Sequence, residues 1–250
     1  MTELRAIIFD MDGTLADTER DGHRVAFNRS FAEAGLDWHW SAGFYGELLA
    51  IAGGKERIGY YIDRYHPDFV SSEDRDRVIA QLHQAKTQYY LELLQTGAIP
   101  LRPGVKRLIT EARTGGIRLA IATTSALQGA IALLQQTLDP AWFEVIAAGD
   151  IVPAKKPAPD IYHYVLKQIQ LSPADCIVLE DSPQGLAAAT QAHLKTLVTV
   201  NDYTRTEEFK TACLVVDCLG EPDLPCTALS QWDHPQPYLD LESLRQLQQA

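Results

Sequence analysis

The sequence predicts an α/β fold, a doubly wound and mostly parallel sheet whose core carries an inserted α-helical cap. Three observations lead there. Short β-branched runs alternate with segments of helical spacing, a pair of aspartates directly follows the first run, and one interval between runs is far too long for a single crossover. The first run, Ala6 to Phe9, has the length and branched content of a buried strand. Thr18 to Ala34 then reads as a helix stopped by Gly35. Ser72 to Gln95 reads as a long helix, with Ser71 or Ser72 as N-cap, acidic residues in its first turn and Gly97 at its end. Both lie in an interval of roughly a hundred residues, where one crossover helix needs about a dozen. An inserted domain at residues 17 to 97 accounts for it and leaves 1 to 16 and 98 to 250 as the core.

Beyond the insertion the alternation becomes regular. Strand-like runs recur at Leu119 to Ala122, Val145 to Ala148, Cys176 to Leu179, Thr196 to Val200 and Cys213 to Val216. Helical spacing appears at Pro103 to Ala112, Leu127 to Leu134, Pro159 to Ile169 and Pro183 to Ala192, with a shorter stretch at Thr206 to Phe209. Such alternation implies right-handed crossovers and a Rossmann-like sheet covered on both faces. The segment from Glu221 to Pro237 is Pro-rich and irregular, and Tyr238 to Gln249 reads as a last helix.

Composition narrows the function classes. The 250 residues, 46% hydrophobic, suffice to bury a sizeable core. Lys and Arg number 22 against 33 Asp and Glu, a formal net charge of −11 with no basic block, which argues against nucleic acid or an anionic membrane as partner. The four cysteines, Cys176, Cys213, Cys218 and Cys226, form no C-x-x-C and no cluster with histidine, so neither a zinc site nor a disulfide framework is expected. No apolar run is long enough to span a bilayer, and the first strand starts within a few residues of Met1, which leaves no room for a targeting peptide. A monomer in a bacterial cytosol is the expectation, or a chain whose targeting peptide has been removed.

The chemistry-bearing residues sit at strand ends. FDMDGT, Phe9 to Thr14, places Asp10 and Asp12 at the C-terminal end of the first strand, where open α/β sheets bind ligands. Taken alone, D-x-D-G is equally an ordinary turn sequence. Three further segments follow later strands: IATTS (Ile121 to Ser125), KKPAPD (Lys155 to Asp160) and VLEDSPQG (Val178 to Gly185). They add a hydroxyl, a lysine before proline and an acidic pair. Together the four segments, in this order, resemble the motifs of the haloacid dehalogenase (HAD) superfamily, over residues 4 to about 200.

That resemblance implies a phosphatase and assigns roles. Asp10 would be the nucleophile and form an aspartyl phosphate, since a carboxylate needs no deprotonation at neutral pH. Mg2+ would offset the repulsion between carboxylate and phosphate, held by Asp10, the main-chain carbonyl of Asp12 and Asp181, with Glu180 supporting this shell. Asp12 would protonate the leaving oxygen and then deprotonate the attacking water. Dehalogenating relatives lack this second aspartate. Thr123 and Lys156 would bind the transferring phosphoryl oxygens, Lys156 rather than Lys155 because the family's lysine immediately precedes the proline. Thr124 and Ser125 have two readings, phosphate contact or capping of the following helix. Cys176 reads as a small core residue, Trp38 and Trp40 as cap packing, and His39 as a surface residue.

Within the insertion, two segments carry the choice of substrate: DTERDGH (Asp17 to His23) and YGELLAIAGGKERI (Tyr45 to Ile58). Gly53 and Gly54 allow close backbone approach to an anion, a helix start adds its positive end, and Lys55 and Arg57 supply charge. This favours a second phosphate site; the alternative is a solvated helix start with Glu56 paired locally. Glu19 and His23, one turn apart, share a face and could bond sugar hydroxyls, while acidic residues there are also ordinary at a helix start. These segments, with LRPGV (Leu101 to Val105), look like those of the CbbY-type phosphatases, which hydrolyse xylulose-1,5-bisphosphate, an inhibitor of Rubisco, to xylulose-5-phosphate. On that pattern Glu19, Gly54, Lys55, Arg57, Thr123, Ser125 and Lys156 would contact a sugar bisphosphate. Two alternatives remain. A β-phosphoglucomutase or general sugar phosphatase has similar motifs, but mutases carry a lysine where this chain has Ala126. A non-catalytic sensor of phosphorylated metabolites would not need both Asp10 and Asp12.

Overall fold

The computed structural model describes residues 3–51, 53–69, 72–149, 151–232 and 236–250. They form two compact units, one of residues 1–17 and 100–250 and one of Thr18–Ile99. No described helix is long and apolar enough to cross a membrane.

The first unit is built on six parallel strands: β1 (Ala6–Phe9), β2 (Arg118–Thr123), β3 (Val145–Ala148), β4 (Cys176–Glu180), β5 (Lys195–Thr199) and β6 (Leu214–Val216). Their order, β3-β2-β1-β4-β5-β6, reverses direction between β1 and β4. In an open parallel sheet the crevice beyond the strand ends at such a reversal is the ligand site. Phe9 is in register with both Ile121 and Leu179, so the residues that follow these strands emerge level with one another.

Among the described residues this unit has the α-helices α5 (Val105–Thr114), α6 (Leu127–Thr137), α7 (Asp160–Ile169), α8 (Pro183–Gln191) and α9 (Leu241–Gln249). One face of the sheet, with Ala6, Ile8, Ala120, Ala122, Cys176 and Val178, packs on the apolar stripe of α7 (Ile161, Tyr162, Val165, Ile169) and the alanines of α8. The small strand residues let α7 approach closely. Alternate residues Ile7, Phe9, Leu119, Ile121, Ile177 and Leu179 point to the opposite face and are equally buried, as a sheet covered on both sides requires. Cys176 is a core residue whose thiol burial pushes up to about 12.

The helix expected at Thr206 to Phe209 is absent. Residues 202–206 form turns, because the Asn201 side chain accepts from Tyr203 N and its carbonyl accepts from Thr204 N and Arg205 N. An asparagine that captures the next amides diverts the chain from helix.

In the second unit α1 (Arg24–Glu33) and α3 (Gly54–Tyr65) pack on the long α4 (Ser72–Gln95), and α2 (Ala42–Leu48) is capped by Ser41. The expected N-cap Ser71 lies outside the described residues, and Ser72 opens α4. The helix expected from Thr18 begins instead as a π-helical turn, Glu19–His23, that runs into α1. Trp38 and Trp40 are buried against Phe31 and Tyr61, while His39 is exposed.

Candidate active site

Asp10 leaves the end of β1 at the point where the sheet reverses, and its N–H donates to the Leu179 carbonyl of β4 at 2.9 Å. Its carboxylate accepts from Lys156 Nζ at 2.7 Å. The same ammonium donates to Glu180 Oε1 (2.6 Å) and to the Ala122 carbonyl (2.8 Å), so its three protons are all used. Glu180, fully buried, also accepts from the Tyr162 hydroxyl (2.6 Å), from its neighbour Asp181 N (3.1 Å) and from Ser182 Oγ (3.4 Å). Asp181 accepts from Asn201 Nδ2 at 2.6 Å and from Thr14 Oγ1 at 3.5 Å.

Three carboxylates against one lysine leave this buried cluster short of positive charge. Burial pushes the Asp10 carboxyl up to about 8, with Lys156 opposing and Glu180 and Asp12 adding to the rise. Burial likewise raises Asp181, with Asp10 and Glu180 reinforcing it. Burial alone would lower Lys156, but Asp10 and Glu180 outweigh it and hold the ammonium well above the usual lysine range. Oxygens of Asp10, Glu180 and Asp181 lie within 4.8 Å of one another. All are hard donors, and the missing charge is positive, so the cluster fits a divalent cation such as Mg2+.

Asp12 is held differently. Its Oδ2 accepts from Ser125 Oγ and, at 3.4 Å, from Thr123 Oγ1, which itself accepts from Ser125 N at 3.1 Å. The hydroxyls at the end of β2 and just beyond it thus bind the second aspartate, where the sequence suggested phosphoryl oxygens. Neither Thr124 nor Ser125 caps α6: the N-cap position is Ala126, with no side-chain bond to the helix, because Ser125 is turned to Asp12. Thr124 is exposed.

Gly185, in the first turn of α8, permits the close seat of Glu180. A Cβ there would overlap the Glu180 carboxylate, which Lys156 and Tyr162 hold in place. Gly185→Ala is therefore expected to cost about 1–3 kcal/mol of stability and to lower phosphatase activity. Wild-type urea midpoint and turnover in the variant would contradict this packing.

In the second unit the substrate-binding candidates form a separate group. Arg57 is buried and donates to the Leu48 carbonyl (3.1 Å), the Ile51 carbonyl (3.3 Å) and the Tyr45 hydroxyl (2.8 Å). Tyr45 in turn donates to Glu19 at 2.5 Å, and the Arg57–Glu19 ion pair spans 3.9 Å. Arg57, expected to present free charge to an anion, is thus spent largely on holding α2 and the following turn, whose carbonyls it satisfies. Lys55 is exposed at the start of α3. Glu56 folds back against Gly53, whose φ of 97° no other residue adopts easily. Gly54 packs on His83, whose imidazole burial, helped by Lys86 and Lys55, lowers to about 4. His23 accepts on Nδ1 from the buried Lys86 Nζ at 2.9 Å, which leaves its proton on Nε2.

Sequence reading missed Tyr162, Asn201, Tyr45, Lys86 and Arg102. Asn201, a polar residue directly after a strand run, had a usable signal. Tyr162 and Lys86 sit inside helices, and only the fold shows which way they point.

Comparison with known proteins agrees with this geometry. Residues 4–193 match the model of the haloacid dehalogenase-like hydrolases. Protein CbbY of Rhodobacter capsulatus is 49% identical over 213 residues, 84% of this chain and 91% of that protein. A crystal structure of CbbY from Rhodobacter sphaeroides in complex with phosphate is similar at a TM-score of 0.78 and 44% identity, covering 86% of this chain and 94% of that one. A D10N mutant of CbbY from Rhodobacter sphaeroides in complex with xylulose-(1,5)bisphosphate is similar at a TM-score of 0.79 and 43% identity, covering 88% and 96%. With aspartates, lysine and acidic pair gathered at one sheet reversal, the chain belongs to the haloacid dehalogenase-like hydrolases, as a phosphatase whose close relatives carry the CbbY name.

Proposed function

We propose that this phosphatase hydrolyses xylulose-1,5-bisphosphate to xylulose-5-phosphate and phosphate through an aspartyl phosphate, and so removes an inhibitor of Rubisco in a bacterial cytosol. The observation that carries the reaction type is the unlike treatment of two aspartates: Asp10 is buried against Lys156, whereas Asp12 is held by hydroxyls. A CbbY relative that binds xylulose-(1,5)bisphosphate supports the substrate.

Bound at Asp10, Asp181 and the Asp12 carbonyl, with Glu180 behind, Mg2+ supplies the charge that lets a carboxylate approach a phosphate dianion. The Asp10 oxygen attacks phosphorus while the bond from phosphorus to the sugar oxygen breaks, and Asp12 gives that oxygen its proton. Asp12 then takes a proton from water, whose oxygen attacks phosphorus, releases phosphate and restores the Asp10 carboxylate. Ser125 and Thr123 orient Asp12 for both transfers. Lys156, beside Asp10, supplies its charge to the phosphoryl oxygens and the exposed Thr124 offers them its hydroxyl, where charge shifts in the transition state. In the cap, Glu19 and His23 bond sugar hydroxyls, while Lys55, the Gly54 amide and the charge of Arg57 serve the second phosphate.

The test is phosphate release with Mg2+ from a panel of xylulose-1,5-bisphosphate, glucose-1-phosphate and a small monophosphate. The bisphosphate should be turned over best, and faster turnover of glucose-1-phosphate would favour a different sugar phosphate as substrate. Lys55 is the clean probe of the second phosphate, because it is exposed and Arg57 is not. Lys55→Ala should lower kcat/KM for the bisphosphate about tenfold, the scale of one charge-assisted hydrogen bond, and leave the monophosphate unchanged. Equal losses on both would return GGKE to a structural role.

A further inference from the structure

LRPGV contributes a residue that the reaction scheme leaves unused. Arg102 is buried, and its guanidinium gathers acceptors from four separate segments. Nη1 donates to the Gly13 carbonyl and, at 3.1 Å, to the Thr199 carbonyl and Oγ1. Nη2 donates to the carbonyls of Val200 (2.5 Å) and Asp217 (2.7 Å), and Nε lies 3.5 Å from Asp17.

Two of these segments flank Asp181. Gly13 turns at φ 89°, and a Cβ there would overlap Asp181 Oδ2 and lie 2.6 Å from Asn201 Nδ2, so the turn cannot shift without moving Asp181. Val200 directly precedes Asn201, whose amide holds Asp181 at 2.6 Å. We propose that Arg102 is a positioning residue that clamps the Asp12–Gly13 turn and the Val200–Asn201 turn on either side of Asp181, and thereby sets the affinity of the carboxylate cluster for its divalent cation. This rests on the cation-dependent reading of the same site. The planar fork is essential to it: a lysine keeps the charge but cannot bridge acceptors on four segments.

Arg107 provides the control. It too binds main-chain carbonyls of the segment after β6, Gly220 at 2.8 Å and Leu239 at 2.9 Å, with Glu221 at 3.2 Å, but none of these partners belongs to the catalytic turn. Mg2+ binding is measured by calorimetry on the substrate-free full chain, beside urea unfolding and the Mg2+ dependence of phosphate release. Arg102→Lys should weaken Mg2+ binding about 10–100-fold, as loss of an outer partner does at metal sites, and lower activity at limiting Mg2+ while KM at saturating Mg2+ changes little. Arg107→Lys should lower stability alone. Arg102→Lys that is destabilised yet binds Mg2+ like the wild type overturns the proposal. Should Arg102→Lys fail to fold, Thr199→Val, which removes one acceptor of the clamp, should still weaken Mg2+ binding about two- to fivefold, and unchanged affinity there overturns it. A wild type that binds no divalent cation removes the proposed function instead.

Discussion

Asp10→Asn should abolish phosphate release, by at least about four orders of magnitude as expected for loss of a nucleophile, with no loss of thermal stability. The two halves of this result have different causes. An amide oxygen cannot take the place of the carboxylate in attacking phosphorus, and no other described carboxylate meets Lys156 in the same position: Glu180 is saturated by Lys156, Tyr162, Asp181 N and Ser182. Stability is kept because the cluster loses one of its unbalanced negative charges. The asparagine oxygen still accepts from Lys156, and the rise that burial imposes on the Asp10 carboxyl no longer opposes folding at neutral pH. The checks are a phosphate-release assay and thermal unfolding of both proteins without added cation. Residual turnover near the wild-type rate would remove Asp10 as nucleophile. A marked fall in midpoint would show that its charge stabilises the fold.

Lys156→Met should act in the opposite way and damage both properties. Lys156 is almost fully buried and is the only described lysine that reaches Asp10 and Glu180. Taking away one partner of a buried ion pair strands the other, at a cost of about 3–5 kcal/mol. Methionine preserves the length of the stem, so the loss reports charge and hydrogen bonds rather than a cavity. Urea unfolding should show a lower midpoint with an unchanged m-value. Saturating Mg2+ should recover part of the stability, since the carboxylates then have another counter-charge, but not the activity. A variant with wild-type stability in the absence of cation would mean that Lys156 does not hold the carboxylates together.

The six strands and most helices were legible because buried parallel strands read as apolar runs and their crossover helices carry a 3.6-residue stripe. Thr206 to Phe209 was misread because so short a stretch leaves the outcome to the side chain of Asn201, which is committed to Asp181 and to the amide of Tyr203. The π-helical start of α1 and the Ser41-capped α2 were likewise invisible, since neither has a period long enough to register.

In the site, Asp10, Asp12, Lys156, Glu180 and Asp181 were readable as strand-end polar residues in a fixed order. Their partners were not. Tyr162 counts as one more aromatic of an amphipathic helix until α7 packs over Ala122 and turns its hydroxyl to Glu180. Arg57 looked like a free cation beside two glycines, and only the fold shows its guanidinium closing on Leu48, Ile51 and Tyr45.

By itself, the sequence determined the class of fold, the strand ends that carry chemistry and the kinds of group present there, because these follow from local periodicity and residue type. The tertiary structure alone decided which hydroxyls serve Asp12 rather than a phosphate, which aromatic holds Glu180 and which arginine braces Gly13. Those pairings join residues more than a hundred positions apart or on different elements. They depend on strand order and register, which bring β1 between β2 and β4 and so set side chains against one another that no local pattern connects.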